Sequence, residues 1–345
     1  MQPSELMKRL FLAFSNDDNE SFEIAAREYI EKERRKKHTM VVRDLENALY
    51  KSDNNYNCTG RNKHNLRMTS IPRDADKGFP LLEIQHFDHS FESLIISCET
   101  KEQLEQVMRE YKDSDVLATY NLQYKKKVLL CGKPGTGKTF SAQIMSSALK
   151  IPLVYIRFDA IISSFLGETA GNLRKVFDFI EQGMWIVLFD EFDIIGKHRD
   201  DSHEHGEIKR VVNNFLQMLD SFKGNSIILA ATNHQHMLDP AIWRRFDDVI
   251  YYNLPDEETR VELFDIYLRS IKRNRNIDLQ AFAAMTKGLS PADIKMIVEE
   301  AMKTAIINSR GIITANDIKK SVNRFLKREK IRNNKMENTQ GIDEK

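Results

Sequence analysis

At the start of the chain, apolar positions recur at helical spacing. Leu6, Leu10 and Phe14 form one series, and Ser21 to Lys36 carries Phe22, Ile24, Ala25, Tyr29 and Ile30 before a charged end. Asp17 and Asp18 offer capping oxygens between the two. Val42, Leu45 and Leu49 predict a third short helix over about 41–50. Ser52 to His64 is then Asn-rich with almost nothing apolar to bury, which is linker composition. From Val128 the pattern changes to apolar runs of strand length: 128–131, 153–156, 185–189, 226–230 and 249–252, with helical patterns between most of them. Continuous apolar strands alternating with helices predict a parallel sheet buried on both faces, an α/β layer fold. Beyond Pro255 the strands stop, and 257–270, 279–285, 291–308 and 315–327 read as helices. Ser290-Pro291 and Thr314 supply N-terminal signals for the last two. The expected organisation is a helical N-terminal module over 1–51, a linker over 52–75, a large α/β domain over 76–254, a helical domain over 255–328 and a disordered polar tail over 329–345.

Composition narrows this picture. The chain has 345 residues, 41% hydrophobic and 30% charged, with a net charge of +1. That balance provides no global field toward nucleic acid or an anionic membrane. The three cysteines, Cys58, Cys98 and Cys131, share no metal-ligand spacing and cannot all pair, which points to a reducing, cytoplasmic setting. Met1 to Phe14 does not read as a signal peptide, and no stretch approaches the length of a membrane span.

Candidate chemistry begins directly after the first strand. Gly132-Lys133-Pro134-Gly135-Thr136-Gly137-Lys138-Thr139 satisfies G-x-x-x-x-G-K-[ST] between a strand and a helix. The glycines let backbone N–H groups turn inward around phosphate oxygens, and the helix N-terminus adds partial positive charge. Lys138 is placed to reach the β/γ-phosphates of ATP, and the Thr139 hydroxyl to bind Mg²⁺. A chance match in a chain of this length is on the order of one in a hundred. Asp190-Glu191 follows the most hydrophobic strand. Asp190 there can hold Mg²⁺ through water, and Glu191 can orient or deprotonate the attacking water. The chemistry read from these sites is Mg²⁺-dependent ATP hydrolysis.

The motif series GKPGTGKT, LFDEFD, AATN (230–233) and LDPAIWRRFD (238–247) resembles that of the AAA ATPases over roughly Phe87 to Lys327. The resemblance implies a P-loop NTPase αβα sandwich with a five-stranded parallel sheet, a helical lid domain, and a ring or spiral hexamer as the active form. It places Phe140 with the phosphate loop and Asp190 in the nucleotide-binding set. Asn233 matches sensor 1, which positions the lytic water, and Arg244 and Arg245 match arginine fingers that reach the neighbouring subunit's γ-phosphate. Many members have Pro-Gly between those arginines. Their adjacency here, followed by the run from Tyr251 to Arg260, is similar to the clade including spastin, katanin and the ESCRT-disassembling ATPases. Lys133 stands where proline is usual. Phe165-Leu166 resembles the first pore loop, an aromatic–aliphatic pair that grips extended polypeptide in the central channel. The second channel loop falls at about 196–206; its His198, His203 and His205 among acidic residues read as a solvated loop of mixed charge. The Gly288–Ile294 segment resembles the start of the sensor-2 helix without its arginine, which implies a contact at the adenine end only.

Three functions fit these residues. The first is a protein-remodelling motor that threads substrates through a ring. The second is a nucleotide-gated adaptor or regulator of a partner enzyme such as a separate peptidase. A nucleic-acid motor is the third, disfavoured by the balanced charge and the lack of a recognisable nucleic-acid module.

Overall fold

The computed structural model describes residues 24–26, 28–30, 34, 71–74, 78–158, 161, 169–193, 205–238, 240–274, 276–308 and 311–340. The chain divides into two compact units, 1–65 and 66–345. In the first, the described residues at 24–26, 28–30 and 34 are helical, with Ala25 and Ile30 buried and Ile24 exposed. The second unit holds the sheet, the phosphate-loop motif and the helices that follow.

Its centre is a sheet built from β1 (Leu82–Gln85), β2 (Lys127–Gly132), β3 (Leu153–Ile156), β4 (Ile186–Phe189), β5 (Ile227–Thr232) and β6 (Asp248–Tyr252), in the order β1-β3-β4-β5-β2-β6. The last five are parallel, as the apolar runs predict. The apolar runs do not reveal β1, which pairs antiparallel with β3, Leu82 opposite Ile156. It is an edge strand of four residues, Leu-Glu-Ile-Gln, too short and too half-polar to stand out from loop sequence.

Alternation within each strand explains why both faces are covered. Leu129, Val187, Phe189, Ile228 and Ala230 point into one core, and Val128, Leu130, Ile186, Leu188, Ile227 and Leu229 into the other. The first core is completed by α4 (Thr169–Glu181) and α5 (His205–Ser221), through Leu173, Val176 and Phe177, and Phe215, Leu216 and Leu219 respectively. The second is completed by α1 (Cys98–Lys112) and α3 (Lys138–Leu149). Between the latter two lies only a short α2 (Ser114–Thr119) and β2. Ser97 caps α1 by accepting from the Thr100 N–H, and the Thr100 hydroxyl donates to the Tyr251 carbonyl of β6 at 3.0 Å.

A cluster of rings lies beneath the β4–β5 end of the sheet. Phe189 and Phe192, both fully buried, meet Phe215 with centroids at 5.2 and 5.1 Å. They bracket Asp190-Glu191 in sequence, so this packing fixes where the two carboxylates emerge. Phe192→Ala is expected to cost about 3–5 kcal/mol by leaving a cavity. A urea titration followed by circular dichroism measures it, and a cost below about 1 kcal/mol would show that the cluster does not hold the loop.

After β6 and a short α6 (Pro240–Trp243) preceding it, the helices α7 (Glu257–Tyr267), α8 (Leu279–Met285), α9 (Pro291–Ile307) and α10 (Ala315–Gln340) enclose a third core of Leu263, Phe264, Ile294, Val298, Ile318 and Val322. Their starts follow the capping signals. Asp256 accepts from the Thr259 N–H, which holds its carboxyl below the usual range, and Ser290 with Asp293 forms a capping box. Two details depart from expectation. A two-residue parallel pair, Lys272–Arg273 with Ile312–Ile313, interrupts the all-helical region. The helix α10 also runs through Glu329 to Gln340, where the sequence predicts a disordered tail. No Gly or Pro occurs between Gly311 and Gly341, and Arg, Lys, Glu and Met favour helix, so nothing local stops it.

Candidate active site

The first and last parallel crossovers run in opposite directions along the sheet: the chain passes from β2 to the far β3, and from β5 across to β6 on β2's other side. Ligands of open α/β sheets bind at the carboxyl ends of strands beside such a switch point. Here that end of β2 is Gly132, the start of the phosphate-loop motif.

Gly137 has φ +105° and directly precedes α3, a backbone that an L side chain rarely adopts. Gly135, at φ +76°, abuts the helical domain: a Cβ there would lie 2.7 Å from Ser290 Oγ and 2.8 Å from Ala292 Cβ. The Ala292 N–H also donates to the Gly135 carbonyl at 3.2 Å. The start of α9 therefore touches the phosphate loop itself. Lys138 lies in the hollow of the loop, where Nζ donates to the carbonyls of Gly132 at 2.8 Å and Lys133 at 2.9 Å. Burial lowers its pKa, and the nearby negative charge of Asp190 opposes that shift. The Thr136 hydroxyl folds back to the Lys133 carbonyl at 2.8 Å and braces the turn across Pro134.

Residues far apart in sequence then converge. Thr139 Oγ1 donates to Asp190 Oδ2 at 2.7 Å, and Asp190 Oδ1 accepts from the Glu191 N–H at 2.9 Å. Glu191 is exposed and has φ +50°, an uncommon conformation for a residue with a side chain. Strain of this kind persists where neighbours over-determine it. The neighbours here are Phe192, whose N–H donates to the Ala231 carbonyl at 2.9 Å, and Asp193, 3% exposed. Asp193 Oδ1 accepts from the Asn233 N–H at 3.4 Å and so ties the acidic turn to the end of β5. Sequence reasoning misses Asp193. Its one signal is a second acid two places past Glu191, in a turn where solvated carboxylates are the ordinary expectation.

Other candidates sit elsewhere. Phe140 is half-buried against the second core, its ring 5.4 Å from that of His89. Arg245 is held within its own chain: Nε meets Asp220 Oδ2 at 2.7 Å and Nη1 donates to the Ala241 carbonyl at 2.8 Å. Arg244 is exposed and makes no ion pair among the described residues. Phe165, Leu166, His198 and His203 lie outside the described residues, and His205 opens α5. No group of three or more His, Cys, Asp or Glu among the described residues could hold a metal ion on its own. Burial pushes the Cys131 thiol up to about 12, so it is inert core. No helix among the described residues is long and apolar enough to cross a membrane.

The model of the ATPase family associated with various cellular activities (AAA) matches residues 128–254, and that of the AAA+ lid domain matches residues 276–320. An AAA family ATPase of Sinorhizobium fredii, itself uncharacterized, is 30% identical over 329 residues, 93% of this chain and 95% of its own. The chain belongs to the AAA ATPase family. As an AAA ATPase it binds and hydrolyses ATP, and the helices from α7 onward include its lid. Proteasome-activating nucleotidases are also similar: that of Saccharolobus solfataricus is 35% identical over 241 residues, covering 68% of this chain and 60% of the nucleotidase. That of Methanopyrus kandleri is 34% identical over 265 residues, covering 74% and 61%. The AAA chain thus spans about three fifths of the length of these nucleotidases.

Proposed function

We propose that this ATPase is a Mg²⁺-dependent protein-remodelling motor that works as a ring, most simply a hexamer, in the cytoplasm. The observation that carries the reading is the split in its cationic groups. Lys138 belongs to the phosphate loop of its own chain, whereas Arg244 is exposed and forms no ion pair among the described residues. Hydrolysis needs positive charge where charge develops on the transferred phosphoryl group. A neighbouring copy can deliver Arg244 there, which makes turnover depend on assembly.

The donor set fits Mg²⁺: a hydroxyl and a carboxylate, both hard oxygen ligands, already in contact through Thr139 Oγ1 and Asp190 Oδ2. When bound, the ion would be held by Thr139 and Asp190 and would supply positive charge against the nucleotide's phosphates. The chain's own groups do the rest. The loop N–H groups and Lys138 hold the phosphates, Glu191 accepts the proton of the attacking water, and Asn233 aligns that water. Asp193 and the Phe192 ring keep the acidic turn in register with the end of β5.

The nucleotidases' names tie them to proteasome activation, which supports a polypeptide as the substrate here. Phe165 and Leu166 supply an apolar grip that pulls without reading sequence. Phe165→Ala is expected to abolish ATP-driven unfolding of a tagged fluorescent substrate while nucleotide affinity stays within about twofold. Full unfolding by that variant would refute threading. A second reading, a nucleotide-gated regulator of a peptidase, draws on the same names. It predicts that Glu191→Gln, loaded with ATP, still activates the partner, whereas a motor stalls.

A further inference from the structure

Outside the active site, one long helix carries a marked excess of positive charge. From Lys319 to Lys335 the sequence holds eight Lys or Arg and one acid, a net +7 in a chain whose total is +1. The rest of the chain is therefore net −6, and bulk balance conceals a strongly basic segment. This segment lies entirely within α10.

The helix sorts its residues by face. Ile318, Ser321 and Val322 are buried, and Phe325 and Leu326 pack against the third core. Lys319, Lys320, Arg324, Lys327, Arg328 and Lys330 are all exposed. Spacings of three and four residues join Lys320, Arg324, Lys327, Arg328 and Lys330 into an outward stripe, flanked by Lys319, about 16 Å long in all. Three acids lie near it, one of them Asp317, buried at the start of α10 where it accepts from the Thr314 N–H and hydroxyl. Glu300 of α9 pairs with Arg324 at 2.6 Å, and Glu329 is half-buried on α10 itself. The Glu300 pair is a surface contact of little energetic weight, readily exchanged for another anion. That leaves five exposed cations without an ion pair among the described residues.

We propose that this stripe binds the phosphate backbone of nucleic acid without reading its sequence. Three physical points select that occupant. A helix that lies on a bilayer needs a free apolar face beside its basic one. The apolar face of α10 is spent in the lid core, leaving Ile331 as the exposed large apolar residue of its described side chains. A protein interface needs buried aromatic or apolar anchors and is depleted in lysine at its centre. The stripe presents lysines and arginines with no aromatic among them. Phosphate backbones, by contrast, are held by an unadorned row of such cations, and about five phosphates of one strand span the stripe's length. This inference is independent of the threading reading; it concerns where the ring is brought, not what it does there.

The test uses the full chain with a fluorescein-labelled random-sequence 20-nucleotide strand and its duplex, read by fluorescence anisotropy. With about five phosphates neutralised, affinity is expected to fall about 100-fold or more between 50 and 200 mM salt. Lys320→Gln/Lys327→Gln/Arg328→Gln removes three contacts and is expected to weaken binding at 50 mM salt at least tenfold and flatten the salt dependence. Glutamine is a good helix former, so α10 persists, as circular dichroism and an unchanged ATPase rate would show. Should the triple variant lose helicity, Lys327→Gln and Arg328→Gln singly are each expected to weaken binding several-fold. No binding at 50 mM salt, or binding that these variants leave intact, overturns the proposal. It is overturned equally if phosphatidylserine vesicles or a polyglutamate peptide bind the wild type in the same buffer while the oligonucleotides do not.

Discussion

Glu191→Gln is expected to lower kcat for ATP hydrolysis by two to three orders of magnitude while leaving nucleotide affinity nearly unchanged. A positioned general base contributes about 10²–10⁴ to a rate, and a hundredfold corresponds to about 2.7 kcal/mol of barrier. Affinity survives because Lys138 and the Thr139–Asp190 contact are untouched. The direct link from Asp190 to Glu191 is the latter's own backbone N–H, which glutamine retains. The backbone at Glu191 adds a control. At φ +50° a glycine relieves conformational cost, so Glu191→Gly is expected to unfold no more readily than wild type despite being inactive. Steady-state ATPase rates, titration with a fluorescent ATP analogue and thermal melts separate these effects. A Glu191→Gln variant turning over within about tenfold of wild type would remove Glu191 from the role of base.

How much of this is legible in the sequence follows from what each residue type can do alone. The four interior parallel strands show themselves because a strand buried on both faces must be largely apolar, as Ile186–Phe189 and, up to its terminal Thr232, Ile227–Thr232 are. At an edge, β6 shows itself by the run Val249-Ile250-Tyr251-Tyr252. The edge strand Leu82–Gln85 does not, because a half-exposed four-residue strand reads like a loop. The phosphate loop is legible since its glycines and Lys138 are dictated locally by backbone geometry. The partnership of Thr139 with Asp190, 51 positions away, is inferable only from motif order. Asp193 and the Ala292–Gly135 contact are not legible, because they depend on how separate elements pack. The stripe on α10 is hidden for a related reason. By pattern alone the segment divides into a helix end and a disordered tail, which leaves its cations on no common face. Nor can the sequence separate Arg244 from Arg245; Asp220 on α5 does that by engaging one of them.

That separation gives the second large effect. Arg244→Ala is expected to reduce kcat about 10³-fold, the low end of what an arginine at the transferred phosphoryl group supplies. Arg245→Ala breaks the contact with Asp220 and is expected to act first on the stability of the α5–α6 region. The stronger test exploits the head-to-tail character of a ring. Alone, Arg244→Ala has intact acidic pairs but no arginine to offer, and Glu191→Gln has the arginine but no base. Mixed in equal amounts, about a quarter of heterologous interfaces would join a working Glu191 to a working Arg244. Two inactive preparations are therefore expected to recover up to about a quarter of wild-type activity. The recovery should grow with total protein concentration, since the complete site exists only between copies. A chain carrying both substitutions, mixed with either single variant, is expected to recover nothing beyond what the single variant shows. If the two single variants co-assemble, as a mixed oligomer on native mass spectrometry would establish, yet restore no turnover, Arg244 does not act across the interface. Retention of near-normal activity by Arg244→Ala would exclude that role just as firmly. Recovery would instead establish that Lys138 and Arg244, both cations of one chain, serve two different nucleotides.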